Sequence, residues 1–155
     1  MTSQFDPDAF LQSTITEPLT KRPPINPGAY PGVIGEPKAK QWSKQDDVTG
    51  EVRSGVVLNV PVTIELPADE AQRVGQPKVT ITDSVFLDMK DDGISLDAAP
   101  GKNRQLRAYR EALNLNNPGD KFSYAMMQGR PIKVAIKHDA KSGEVYERVG
   151  AVARA

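Results

Sequence analysis

Arg104, Arg107 and Arg110 stand three residues apart in a segment whose apolar residues Leu106, Tyr109 and Leu113 recur at helical spacing. A helix there carries one apolar face and one strongly positive face. Three guanidiniums so close repel one another unless an anion or carboxylates sit among them, and Glu111 alone does not neutralise them. A face of that kind suits phosphate; its plain alternative is a solvated helix surface. Lys133 and Lys137 alternate with Ile132, Val134 and Ile136, while Tyr146, Arg148 and Arg154 share a phase in the last apolar segment. If the two strands adjoin, they make a positive sheet surface carrying an aromatic ring. Lys38, Lys40 and Trp42 repeat the combination nearer the N-terminus, with Trp42 between polar Gln41 and Ser43. Tyr30 and Phe86 are weaker candidates of the same type. Cations that track phosphates, beside rings on which bases stack at ~1–3 kcal/mol each, are what a surface for single-stranded nucleic acid requires.

Catalytic chemistry finds fewer footholds. His138 is the only histidine and there is no cysteine, so Ser-His-Asp or Cys-His machinery would rest on one residue at a strand end. A solvated hairpin histidine is the simpler reading. The run Asp88 to Gly93 invites comparison with a calcium loop, but Lys90 and Ala99 occupy the third and twelfth positions, where oxygen ligands belong. Asp83 and Asp88 lack a third carboxylate at a telling spacing, and Gly101-Lys102-Asn103 lacks the upstream glycines of a phosphate-cradling loop. The expectation is a binding protein with no catalytic residue, metal ligand or cofactor.

The chain has 155 residues, enough for one domain with its own core. Its formal net charge is zero, yet residues 1–101 hold nine Lys/Arg against fifteen Asp/Glu, and residues 102–155 hold eleven against five. A local positive field attracts polyanions even on a neutral molecule. The absence of cysteine suits a reducing compartment. The opening MTSQFDPDAFLQST has neither the basic stretch nor the apolar run of a secretory leader, and no apolar run approaches the ~20 residues of a membrane helix. A cytoplasmic location, away from membranes, is expected.

Residues 1–28 contain five prolines and read as an extended N-terminal arm; residues 29–155 read as the domain. Within the arm, Asp6 is a plausible N-cap with Pro7 at the first helical position, opening a short turn whose Phe10 and Leu11 are expected to dock on the body. Tyr30 to Trp42 reads as a first strand. Val56, Leu58, Val60, Val62, Ile64 and Leu66 then alternate with Val57, Asn59, Pro61, Thr63 and Glu65, the pattern of a half-buried strand. Pro61 removes a ladder donor and predicts an edge or a bulge. A third strand runs through Val79, Ile81, Val85, Leu87 and Met89, with Asp83-Ser84 as a candidate bulge or bend. Asn103 is the expected N-cap of the arginine helix. Two strands around the turn Lys141-Ser142-Gly143 close the chain. Five strands with one helix between the third and fourth is the connectivity of the OB-fold, a small barrel that often binds oligonucleotides; SH3-like barrels and α+β sandwiches are rivals.

The segments Phe5-Asp6-Pro7-Asp8-Ala9-Phe10-Leu11, Pro27-Gly28-Ala29-Tyr30 and Gly129-Arg130-Pro131-Ile132-Lys133-Val134 carry a resemblance to phage-encoded OB-fold single-stranded DNA-binding proteins of replication and recombination modules. The resemblance implies non-sequence-specific DNA binding without catalysis, in the host cell cytoplasm, with replication or recombination proteins and a second copy of the chain as further partners. The expected site, read from charge, phase and aromatic spacing, comprises Lys38, Lys40, Trp42, Arg104, Arg107, Arg110, Lys133, Lys137, Tyr146 and Arg148. Many such binders end in an acidic tail, whereas this chain ends Val152-Ala153-Arg154-Ala155. The alternative is a protein-interaction module, such as a host-takeover or virion component, on the same barrel.

Overall fold

In the computed structural model, which describes residues 4–155, the long alternation becomes β3 (Val52–Glu65). Leu58, Val60, Val62 and Ile64 point into the core and are buried, while Asn59, Pro61 and Thr63 face outward and stay partly exposed. Five more strands join it in one open antiparallel sheet: β1 (Gly28–Ile34), β2 (Lys38–Gln45), β4 (Lys78–Leu87), β5 (Pro131–Lys141) and β6 (Glu144–Ala153). The chain is thus mainly β, with three short helices, α1 (Pro7–Gln12), α2 (Ala68–Val74) and α3 (Arg104–Ala112), and a 3-10 turn at Tyr124–Met127.

The segment read as one first strand is broken. Along one edge of β3, β2 pairs with Val52 to Asn59 and β1 with Val62 to Ile64, so β1 and β2 are two halves of one line bent at Gly35-Glu36-Pro37. Pro61 lies opposite the bend, and its carbonyl accepts the Gly35 N–H at 2.8 Å. A strand residue's N–H and C=O point to the same side, so the missing proline donor opens on the bend and costs no ladder bond. Pro61 therefore marks neither a sheet edge nor a bulge in its own strand; the neighbouring line breaks instead. A Cβ at Gly35 would stand 3.1 Å from the Pro61 ring, so glycine makes this close approach easy.

The other edge of β3 pairs with β4 in unbroken register from Val56↔Leu87 to Glu65↔Lys78, so no bulge occurs at Asp83-Ser84. Asp83 breaks the apolar alternation because the Tyr109 hydroxyl of α3 donates to it at 2.6 Å. β1 continues into β5 and β5 into β6, giving the order β2-β3-β1-β5-β6 with β4 on the far side of β3. β4 and β6 approach one another without a ladder. Instead of five strands in a barrel, the sheet has six and stays open along that seam. The arginine helix α3 follows β4 and packs its Leu106 and Tyr109 into the core against β4 and β6. Asn103 does not cap it by side chain. In left-handed backbone, its amide donates to the carbonyls of Asp88 and Asp97 and accepts the Asp88 N–H, stapling the preceding loop.

Asp6 caps α1 as expected, accepting the N–H groups of Asp8 and Ala9. Phe10 and Leu11 nevertheless remain exposed rather than docked. The later part of the arm is anchored. Arg22 makes two hydrogen bonds to the Glu147 carboxylate, the Ile25 N–H donates to the same group, and Ile25 is fully buried. Glu70 of α2 accepts from the Asn26 N–H and side chain, and is paired with Arg73. Among the described residues no helix is long and apolar enough to cross a membrane.

Candidate nucleic-acid interface

Alternation along β2 places Lys38, Lys40, Trp42 and Lys44 on one face, opposite Asn59, Val57, Gly55 and Arg53 of β3. β4 extends two of these rows with Ser84 beside Asn59 and Phe86 beside Val57. Beyond Val56, β3 has no β4 partner, so β2 and the start of β3 run on as a two-stranded ribbon. The face they share is the outward one, away from Leu58 and Val60.

Trp42 lies across Gly55. A Cβ there would come within 2.8 Å of the indole Nε1 and 2.9 Å of two ring carbons, so the seat exists because residue 55 is glycine. Phe86 meets the indole edge to face, with ring centroids 6.1 Å apart at 80°, a favoured aromatic geometry. Trp42 is half-buried and Phe86 is 59% exposed. Beneath them Val57 is buried although it faces outward, flanked in register by Lys40 and Phe86. The sole tryptophan is thus a supported surface ring.

The N-terminal half of α3 reaches the same face. Arg104 and Arg107 line one shallow depression with Phe86 and Asp88. Lys102 lines a pocket with Trp42 and another with Arg107 and Arg110. Among the described residues, Lys38, Lys40, Lys44, Arg53 and Arg104 have no carboxylate at ion-pair distance, and Arg107 has only Glu111, at 3.8 Å. Arg110 is used otherwise: its guanidinium sits 4.3 Å from the Phe122 ring centroid and its Nε donates to the Leu115 carbonyl. In the acidic loop beside this face, Asp88 and Asp92 are held in hydrogen bonds, while Asp91 lines the Trp42 pocket with Lys102. Asp88 accepts the Asn103 N–H at 2.7 Å. Asp92 accepts from the Ser95 and Ile94 N–H groups and the Ser95 hydroxyl, which hold its carboxyl below the usual range.

The β5–β6 hairpin is differently spent. Lys137 faces Arg148 across the ladder, and its stem covers Gly150, where a Cβ would fall 2.6 Å from Cδ. Arg148 pairs with Asp139 at 2.7 Å, which raises the guanidinium pKa further. The Tyr146 hydroxyl donates to Glu144 at 2.7 Å, and Lys21 of the arm lies 3.3 Å from the same carboxylate. These partners, Tyr146 first, lower the Glu144 pKa, while Glu144 raises that of Tyr146. Lys133 stands in register between Pro31 and Ala153. His138 donates its Nε2 proton to the Ile25 carbonyl at 2.6 Å, tying down the arm. Among the described residues no ladder or hydrogen bond joins this hairpin to β2.

Of the residues singled out in the sequence, the fold therefore gathers Lys38, Lys40, Trp42, Arg104 and Arg107, and sets Arg110, Lys133, Lys137, Tyr146 and Arg148 apart. Of the two weaker candidates, Phe86 joins this face while Tyr30 is buried in the core, and the fold adds Lys44, Arg53, Gly55 and Lys102. Lys44 and Arg53 flank one turn-rich segment at hairpin spacing, a signal that was legible; the Gly55 seat was not. Among the described residues no three acidic or histidine side chains converge as a metal site. The chain matches no protein-family model and no curated protein.

Proposed function

We propose that this protein binds single-stranded DNA without sequence preference through the outward face of β2, β3 and β4, in the manner of phage proteins that sequester single strands during replication and recombination. The observation that carries the reading is the Trp42–Phe86 pair seated over Gly55 and Val57, with Lys40 in the Val57 row and Lys44 and Arg53 in the next row, none of the three with a carboxylate at ion-pair distance among the described residues. Rings supply a stacking platform indifferent to base identity, and the cations supply attraction to phosphate. Arg104 and Arg107 widen the positive margin on the Phe86 side.

The architecture supports the same reading. Counting the bent β1–β2 line as one strand, five strands are joined by four antiparallel ladders, with α3 between the third and fourth. We take this as an OB-like sheet left open between its third and fifth strands. OB-folds bind oligonucleotides on the face of their second and third strands, and β3 and β4 hold those places.

Titration with oligo-dT, followed by Trp42 fluorescence, tests the proposal. Stacking on the indole is expected to quench it, and log K is expected to fall with log salt by about 0.7 for each phosphate neutralised. Absence of quenching together with salt-insensitive binding or none would overturn it.

A further inference from the structure

Residues 5–20 hold three carboxylates, Asp6, Asp8 and Glu17, and no Lys or Arg. The same stretch exposes Phe5, Phe10, Leu11, Ile15 and Leu19, the last at 95%. Phe5 and Phe10 lean together with ring centroids 5.5 Å apart, so α1 presents a small aromatic cluster beside its capping Asp6. Nothing in residues 5–20 is buried. A helix of six residues is too short to persist alone in water, because its few hydrogen bonds do not repay nucleation. Its apolar side chains also lose the free energy that burial would return, about 25 cal/mol for each Å² covered. Docking on an apolar surface removes both deficits, and Asp6, Asp8 and Glu17 favour one that is also positive.

The molecule carries such a surface. Half-buried Trp42 and exposed Phe86 form a surface aromatic pair, with Lys40, Lys44, Arg53 and Arg104 about it and, among the described residues, no carboxylate at ion-pair distance from any of the four. The arm is bolted to β6 through Lys21 and Arg22, and β6 lies at the opposite end of the sheet order from β2. We infer that α1 of one copy docks on the Trp42–Phe86 face of a second copy, its carboxylates among the lysines and arginines there. The inference rests on the reading of that face given above and adds regulation to it: arm and DNA compete for one site, so copies associate when DNA is absent and release the arm when it binds.

Sedimentation velocity of the full chain, from micromolar to near-millimolar at low salt, tests this beside a Phe10→Ala/Leu11→Ala variant. Both replaced side chains are exposed, so the fold is expected to survive, checked by circular dichroism. The wild type should sediment faster as concentration rises and return to one protein per complex on adding short oligo-dT. The variant should stay monomeric and bind oligo-dT several-fold more tightly. A wild type that is monomeric throughout, or a variant that associates like the wild type, overturns the inference. If the wild type alone self-associates and neither protein binds oligo-dT, arm docking stands and the DNA reading falls. If both bind oligo-dT equally and neither self-associates, the DNA reading stands and arm docking falls.

Discussion

Lys44 of β2 and Arg53 of β3 are direct cross-strand partners, and among the described residues neither has a carboxylate at ion-pair distance. Like charges placed opposite one another repel, a repulsion that Asp46, Asp47 and Glu51 in the same depression offset in part and that a bound polyanion would turn into attraction. Arg53→Gln is expected to leave thermal stability unchanged or slightly higher. It should also reduce the slope of log K for oligo-dT against log salt by about 0.7. Melting curves and a salt series on the same protein check both. Lower stability with an unaltered slope would place Arg53 off the path of the strand.

Gly55→Ala acts on the aromatic pair without touching an aromatic. The added Cβ would meet the indole Nε1 at 2.8 Å, so Trp42 must leave its seat and its edge contact with Phe86. Indole emission of the free protein should shift. Oligo-dT affinity should fall by ~1–3 kcal/mol, the worth of one stacked base. A shifted emission with unchanged affinity would mean that bases do not stack on this ring.

The β3 alternation was readable because period two over eleven residues has no helical rival, and from Leu58 to Ile64 every inward residue is buried. The break between β1 and β2 was not, since it depends on a Pro61 carbonyl meeting Gly35 across strands, a long-range contact with no local signature. Helix α2 did carry one: Asp69 and Glu70 in its first turn and Gly75 in left-handed backbone at its end. The basic residues were visible as types, but sequence does not tell a free cation from a spent one. Arg148 and Arg104 look alike until Asp139 is found beside the first. That pairing sets Arg148 apart, whereas Lys133 and Lys137, which also lack a carboxylate at ion-pair distance among the described residues, are set apart by their place on β5, which no ladder joins to β2.

Glu147 is one of several groups that anchor the arm, beside Glu70, His138 and Glu144. Its carboxylate receives Arg22 through bonds of 2.9 and 2.7 Å and the Ile25 N–H at 2.7 Å. Glu147→Ala leaves the Ile25 N–H and a half-buried guanidinium without this acceptor, which costs about 1–3 kcal/mol. Urea unfolding should show that loss. Tryptic cleavage after Lys21 should accelerate, as Ile25 and the residues before it come off the body. An unchanged midpoint and cleavage rate would mean that Ile25 and Asn26 secure the arm alone.

Burial raises the carboxyl pKa of Asp83 above its ordinary value of 3.8, against the opposing pull of the Tyr109 hydroxyl and of Arg148. The unfolded chain releases this proton at the ordinary pKa while the folded chain still holds it. Above 3.8 the native state therefore binds more protons, and stability falls as pH rises through the folded value. Glu70, Asp92 and Glu144 have the opposite sign: partners hold them low, so their contribution is present above the usual carboxylate range and lost as pH falls. Asp83→Asn keeps an acceptor for Tyr109 and removes only the titration. The stability of this variant relative to wild type should climb as pH rises above 3.8 and then level off. Urea melts from about pH 3 to about pH 7 measure it, and a flat difference would mean that Asp83 ionises alike in both states. Because the variant keeps the Tyr109 bond that seats α3 and its arginines, it should also keep its oligo-dT affinity, which separates this seam from the proposed binding face.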